Sequence, residues 1–100
     1  MACKILWSPE ALEDLEALTS YIASADVRAA IDTGRAILRK TRGIPKNPHA
    51  GRIVPERNDP EVREVFCGNY RIIYRLPKNT DRIEIMRIWH GARGEPRIPN

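Results

Sequence analysis

The strongest constraint on this chain is a change of apolar period at Pro45 and Pro48. Before these prolines the apolar residues recur at helical spacing, and after them they fall in short runs rich in β-branched and aromatic residues. A chain built this way places its helices first and its strands afterwards, which points to an α+β domain rather than a bundle, a sandwich or a doubly wound fold.

Ser8-Pro9-Glu10 opens the first helix. Serine caps free N–H groups, proline suits the first helical position, and an acid complements the positive end of the dipole. Ala11, Leu12, Leu15, Leu18, Thr19 and Ile22 then share one stripe, with Glu10, Glu13, Asp14 and Glu16 opposite as a solvated acidic face. Asp26 is the cap expected for a second helix, whose stripe is Val27, Ala30, Ile31, Gly34, Ile37, Leu38 and Thr41. Gly34 within that stripe implies close approach of the two helices. Arg35, Arg39, Lys40 and Arg42 favour the negative helix end before Gly43 and Pro45 stop it.

The strands expected after the hairpin are Arg52–Glu56, Val62–Cys67, Tyr70–Leu76 and Arg82–Trp89, the first of them short or irregular. Gly68-Asn69 marks a tight hairpin and Pro77–Asp81 a looser turn. Lys4-Ile5-Leu6-Trp7 reads as a further strand of the same sheet. The resulting order is β-α-α-β-β-β-β, with the helical hairpin on one face of a twisted, mainly antiparallel sheet. Residues 1–100 are expected to form one domain, because a chain of 100 residues holds a single core. Its tail, Gly94–Asn100, is expected to be loose.

Leu12, Ile31 and Ile37 are expected to pack on Ile72 and Ile85. Alternation sends Tyr70, Ile72 and Tyr74 to one face and Arg71, Ile73 and Arg75 to the other. On the last strand strict alternation sets Ile83, Ile85, Arg87 and Trp89 against Glu84, Met86, Ile88 and His90. Both faces carry apolar residues, so the side without helices would leave a groove for a partner. Arg87 and His90 are an odd number of residues apart, so they share a groove only if a bulge intervenes.

Seventeen Lys and Arg against thirteen Asp and Glu give a net charge of +4, which suits an acidic protein or nucleic-acid partner. No apolar run approaches the roughly 20 residues of a membrane span, and the first residues lack the apolar stretch of a secretory signal, so a cytoplasmic protein is expected. Cys3 and Cys67, far apart and with only His49 and His90 as further soft ligands, read as reduced thiols rather than a metal site. No phosphate-binding loop, zinc helix or nucleophile elbow is present, and no cofactor is expected.

The strands carry the bases: residues 51–100 hold ten against seven acids. Arg63, Arg71, Arg75, Arg87, Trp89 and Arg93 are the candidates for contact with a partner or nucleic acid, since guanidinium groups bind carboxylate or phosphate through two bonds. His90 beside Arg93 has the chemistry to assist attack by an RNA 2′-hydroxyl on its phosphate, with arginine stabilising the developing charge. A structural or interfacial histidine is the plainer alternative, and Trp89 reads first as core or interface.

The segments Gly68–Arg75 and Ile83–Arg93, ending Trp89-His90-Gly91-Ala92-Arg93, resemble the C-terminal signature of the RelE/ParE superfamily of bacterial toxins. Trp7-Ser8-Pro9-Glu10-Ala11 with Asp14-Leu15 is similar to the family's first strand and helix, as are Gly51-Arg52, Pro55-Glu56 and Val62–Val65 to its middle. The resemblance runs from Lys4 to Arg93. It implies the toxin of a type II toxin–antitoxin pair, neutralised by a ParD-like or RelB-like antitoxin docked by strand addition or by a helix in an apolar groove, and supporting plasmid or chromosomal-island maintenance and growth arrest.

The superfamily has two activities. RelE-like members cleave messenger RNA on the ribosome through several basic residues, whereas ParE-like members poison DNA gyrase. Phe66 stands where the nuclease branch has an arginine, and Gly51–Asn58 holds Arg52 and Arg57 where that branch has lysines. Arg93 does match a nuclease arginine. The ending looks more like the ParE form, so the resemblance implies a gyrase poison with no catalytic residues; the alternative is a ribosome-dependent endoribonuclease using His90 and Arg93.

Overall fold

The computed structural model describes residues 4–99; Cys3 lies outside them. Strand β1 (Lys4–Trp7) leads into helix α1 (Pro9–Ala23), α2 (Val27–Gly43), a short β2 (Arg52–Ile53), β3 (Val62–Cys67), β4 (Tyr70–Arg75) and β5 (Arg82–His90). The sheet order is β1-β5-β4-β3-β2. β1 runs parallel to β5 and every other pair is antiparallel, so the sheet is mixed and mainly antiparallel. This is the expected α+β architecture. No helix among the described residues is long and apolar enough to cross a membrane.

The expected caps are in place. The Ser8 hydroxyl accepts from the Ala11 N–H at 3.0 Å and donates to the Met86 carbonyl at 3.0 Å, so one side chain starts α1 and pins it to β5. Asp26 accepts from the Ala29 N–H at 3.1 Å. At the tight hairpin Gly68 takes a φ of +57°, a conformation open to glycine at little cost.

Between the hairpin and the sheet lies a core of Ala11, Ile37, Ile44, Ile72, Tyr74, Ile83, Ile85 and Ile88, with Leu15 and Leu18 packed against it. Ile37 thus meets the sheet residues expected of it, but Leu12 and Ile31 do not: they are 53% and 45% exposed. A helix turns about 100° per residue, so Leu12 points well away from the sheet when its neighbour Ala11 points into it. The stripe on each helix is wider than the face the sheet covers. Gly34 meets Thr19 at ordinary contact distance, 3.5 Å from an added Cβ, so the crossing does not require glycine.

Strand β5 departs from strict alternation. Ile73 faces Arg87 and Tyr74 faces Ile85, which leaves Met86 as an extra residue and makes a bulge. Ile83, Ile85 and Ile88 therefore join the core under the helices, while Met86 and Trp89 turn to the other face. Grouping Arg87 and Trp89 with Ile83 and Ile85 is corrected by this single insertion. Because the bulge precedes Arg87, Arg87 and His90 remain on opposite faces.

The face without helices has a smaller core of its own, Val54, Val62, Ile73, Met86 and Trp89, covered in part by Ile98. Residues 97–99 of the tail are tied to this face by hydrogen bonds. Arg57 donates to the carbonyls of Ile98 at 2.9 Å and Pro99 at 3.2 Å, and Arg87 donates to that of Arg97 at 2.8 Å. Pro96 and Pro99 hold this strap extended, and the second apolar face gives Ile98 a place to bury.

Candidate functional site

The candidate arginines differ in what their guanidinium groups already hold. Arg71 grips Glu56 through two bonds of 3.0 and 2.8 Å and reaches Glu64 at 2.5 Å through Nε. Glu64, whose side chain is 0% exposed, also accepts from Arg52 at 2.6 Å. Both of its oxygens are thus answered in a place where an unpaired carboxylate would be costly. The hydrogen bonds from Arg71 hold the Glu56 carboxyl below its ordinary range, and the bond to Glu56 raises Arg71 further above its own.

Arg87 makes an equivalent grip on Asp14 of α1, two bonds of 2.8 Å, and that bond raises its own basicity. Asp14 also accepts from the Ile88 N–H at 3.0 Å. The reason is topological: β1 pairs with β5 only as far as Ile85, and beyond it the β5 edge has lost its neighbour. Asp14 supplies the acceptor that a longer β1 would have supplied. It is therefore no part of a solvated acidic face; only a register that places α1 along β5 reveals this.

Arg63 donates to the carbonyls of Pro60, His49 and Gly51 at 3.0 to 3.2 Å, tying two loops to β3. Arg75 has Nε 4.0 Å from Glu84, and its Nη2 is buried with no hydrogen-bond partner among the described residues. Arg93, at the end of the chain's last 3-10 turn (Gly91–Arg93), holds no carboxylate among the described residues. Its guanidinium lies 4.1 Å from the Trp89 ring centroid, with Arg87 at 4.9 Å from the same ring. The indole N–H donates to the Gly94 carbonyl at 3.1 Å. Trp89 is thus buried core and stacking partner together.

His90 faces the helices. Its Nδ1 accepts from the Ala92 N–H at 3.0 Å, which assigns the proton of the neutral ring to Nε2. Its ring meets Tyr70 edge-on at 5.1 Å. His90 and Arg93 border one cavity of about 350 Å³ with Tyr21, Tyr70, Ile88 and Asp14. The structure brings those two candidates together and separates His90 from Arg71 and Arg87, which lie on the other face. Phe66, at the position expected to carry an arginine in a nuclease, is 48% exposed with Arg52 stacked 5.1 Å from its ring centroid.

Sequence reasoning missed Glu56, Glu64 and Asp14 as partners of the arginines. The available signal was Glu64 itself, an acid at a position whose strand neighbours Val62 and Phe66 share its face. Among the described residues no group of three or more His, Cys, Asp or Glu is gathered that would hold a metal ion.

Solved structures with this fold include a chain of the chromosomal ParDE toxin–antitoxin system from P. aeruginosa, with a TM-score of 0.72 and 20% identity over 88% of this chain and 95% of that one. A chain of the toxin–antitoxin complex RelBE2 from Mycobacterium tuberculosis matches with a TM-score of 0.57 and 18% identity, over 90% of this chain and 99% of that one. No curated protein sequence matches the chain. The family model for the ParE toxin of the type II toxin–antitoxin system parDE matches residues 5–94, and with the fold and strand order described above the chain belongs to that family, within the RelE/ParE superfamily.

Proposed function

We propose that this toxin acts by binding DNA gyrase, performing no chemistry of its own, so that broken DNA accumulates, and that a ParD-like or RelB-like antitoxin silences it. The observation that supports this reading best is the commitment of the sheet's guanidinium groups. Arg71 and Arg87 each hold a carboxylate of the same chain through two bonds. Cleaving RNA calls for cations free to receive charge as it develops on the phosphate. Here the two arginines are answered, Phe66 replaces a third, and His90 lies across the sheet from both. A gyrase target also places the protein in the cytoplasm.

Strand addition at the outer edge of β1, which among the described residues pairs only with β5, is one way for the antitoxin to dock. The shared cavity of His90 and Arg93 favours a second reading, ribosome-dependent cleavage of messenger RNA. Two assays on the toxin freed of antitoxin separate them. Inhibited supercoiling with an intact message supports the gyrase reading. Codon-specific cuts in a translation reaction, lost in His90→Ala, support the nuclease.

A further inference from the structure

The most one-sided charge in the chain runs through the second half of α2 and the loop after it. Residues 33–55 hold six of the seventeen bases and none of the thirteen acids, so the remainder of the chain has eleven bases against thirteen acids. Five of the six, Arg35, Arg39, Lys40, Arg42 and Lys46, are exposed and form no ion pair among the described residues. The sixth, Arg52, holds Glu64.

Arg35, Arg39, Arg42 and Lys46 recur four, three and four residues apart, the first three on α2 and the last in the 3-10 turn Ile44–Lys46 that continues it. That spacing sets them in one stripe, while Ile37 and Ile44 turn the opposite side into the core. The negative end of the helix dipole accounts for Lys40 and Arg42, which lie in the last turn. It does not reach Arg35. Like charges at these spacings repel one another, so the stripe is costly to the chain until an anion covers it.

The surroundings of the stripe select the anion. From residue 35 to residue 50 no large apolar side chain is exposed. The centre of a protein contact draws on apolar and aromatic area, whereas a phosphate backbone is held by cations and polar groups alone. No aromatic residue lies between Tyr21 and Phe66. Phe66, across the cavity that Arg39 and Lys40 border, already carries Arg52 at 5.1 Å from its ring centroid. Unpaired bases are gripped by stacking on free rings, and a duplex, whose bases are already stacked, requires none. We propose that the stripe binds the phosphate backbone of duplex DNA, without reading its sequence. Arg35, Arg39 and Arg42 succeed one another over about 10 Å of helix. Over that length of axis one DNA strand presents about three phosphates, one for each guanidinium.

This goes beyond the gyrase reading, because binding by the chain alone involves no enzyme. Fluorescence anisotropy of a labelled DNA duplex, titrated with the full chain freed of antitoxin, tests it. The expected result is micromolar affinity at about 50 mM salt, with log K falling against log salt at a slope of about −4 for five bases. Arg35→Gln, Arg39→Gln and Arg42→Gln together should weaken binding at least tenfold and reduce the slope by about 3, with an unchanged thermal melt. Lys4→Gln, Lys78→Gln and Arg82→Gln together remove the same charge from exposed sites off the stripe and should leave the slope as it was. Equal losses in the two triple variants overturn the inference, as does tighter binding of a single strand or of an RNA hairpin than of the duplex. A chain that binds no duplex overturns it too, even where the stripe variant loses antitoxin. Since the titration contains no gyrase, the two readings fail separately: a toxin that inhibits supercoiling yet binds no duplex overturns this inference alone.

Discussion

Asp14 on α1 and Arg87 on β5 are joined by two parallel hydrogen bonds of 2.8 Å, 73 residues apart in the chain, with both side chains largely buried. The same carboxylate completes the β5 edge at Ile88, so a single acid couples the helical hairpin to the sheet.

Replacing Asp14 by alanine should therefore cost about 3 kcal/mol, because it leaves a guanidinium and a backbone N–H without partners in a largely dry place. Urea unfolding gives the number. Asp14→Ala combined with Arg87→Leu should recover part of the loss, since removing both charges relieves the unpaired cation. A single variant as stable as the parent would remove Asp14 from this role.

Glu56 makes the stability sensitive to acid. Its pKa is lowered in the folded chain by the hydrogen bonds from Arg71. Its contribution is therefore complete above the ordinary glutamate value of 4.5 and disappears as the pH falls through the lowered one. Unfolding midpoints should decline as the pH drops below that value, and Glu56→Gln should flatten the decline while lowering stability at neutral pH. An unchanged slope in Glu56→Gln would show that other carboxylates govern the acid limb.

Gly51 is the glycine with the least room. A Cβ there would run into the Tyr74 hydroxyl and come within 2.9 Å of the Glu64 carbonyl. The Tyr74 hydroxyl is itself held on the Pro48 carbonyl at 2.7 Å, and burial pushes its pKa up. Gly51→Ala should cost about 2 kcal/mol, as overpacking of a filled site does. Gly34→Ala should be neutral or stabilising, because the site has space and alanine favours a helix by up to about 1 kcal/mol. Thermal melts of the two variants make the comparison, and equal effects would contradict it.

The tail prediction follows from Ile98. Truncating it to alanine should cost about 1 kcal/mol, the order expected for a partly buried side chain losing its apolar contacts. It should also raise amide exchange around Arg97 and Ile98. Exchange at Ile98 as fast in the parent as in a free peptide would return the tail to the loose state that its composition suggests.

These particulars show where sequence legibility ends. Ser8-Pro9 and Asp26 announce their helices because caps act locally, and β1 and β3 are readable as short runs of apolar, β-branched and aromatic residues. The bulge at Met86 is not, because it depends on how β5 pairs with β4 at Tyr74 and Ile73. The partners of Arg71 and Arg87 lie 15 and 73 residues away, at separations only the tertiary register fixes. The exposure of Leu12 and Ile31 escapes the periodicity because an apolar stripe wider than the face the sheet covers has the same spacing as one that is fully covered. The histidine–arginine ending was legible as a candidate pair, while its separation from the other arginines required the pleat of the whole sheet.

The central claim is tested most directly by incubating purified gyrase and relaxed plasmid with the toxin freed of antitoxin, and measuring supercoiling together with covalently trapped, cleaved DNA. The account predicts that supercoiling falls and cleaved DNA accumulates in proportion to toxin, and that added antitoxin reverses both. Full supercoiling at a large molar excess of toxin that still arrests growth would contradict it.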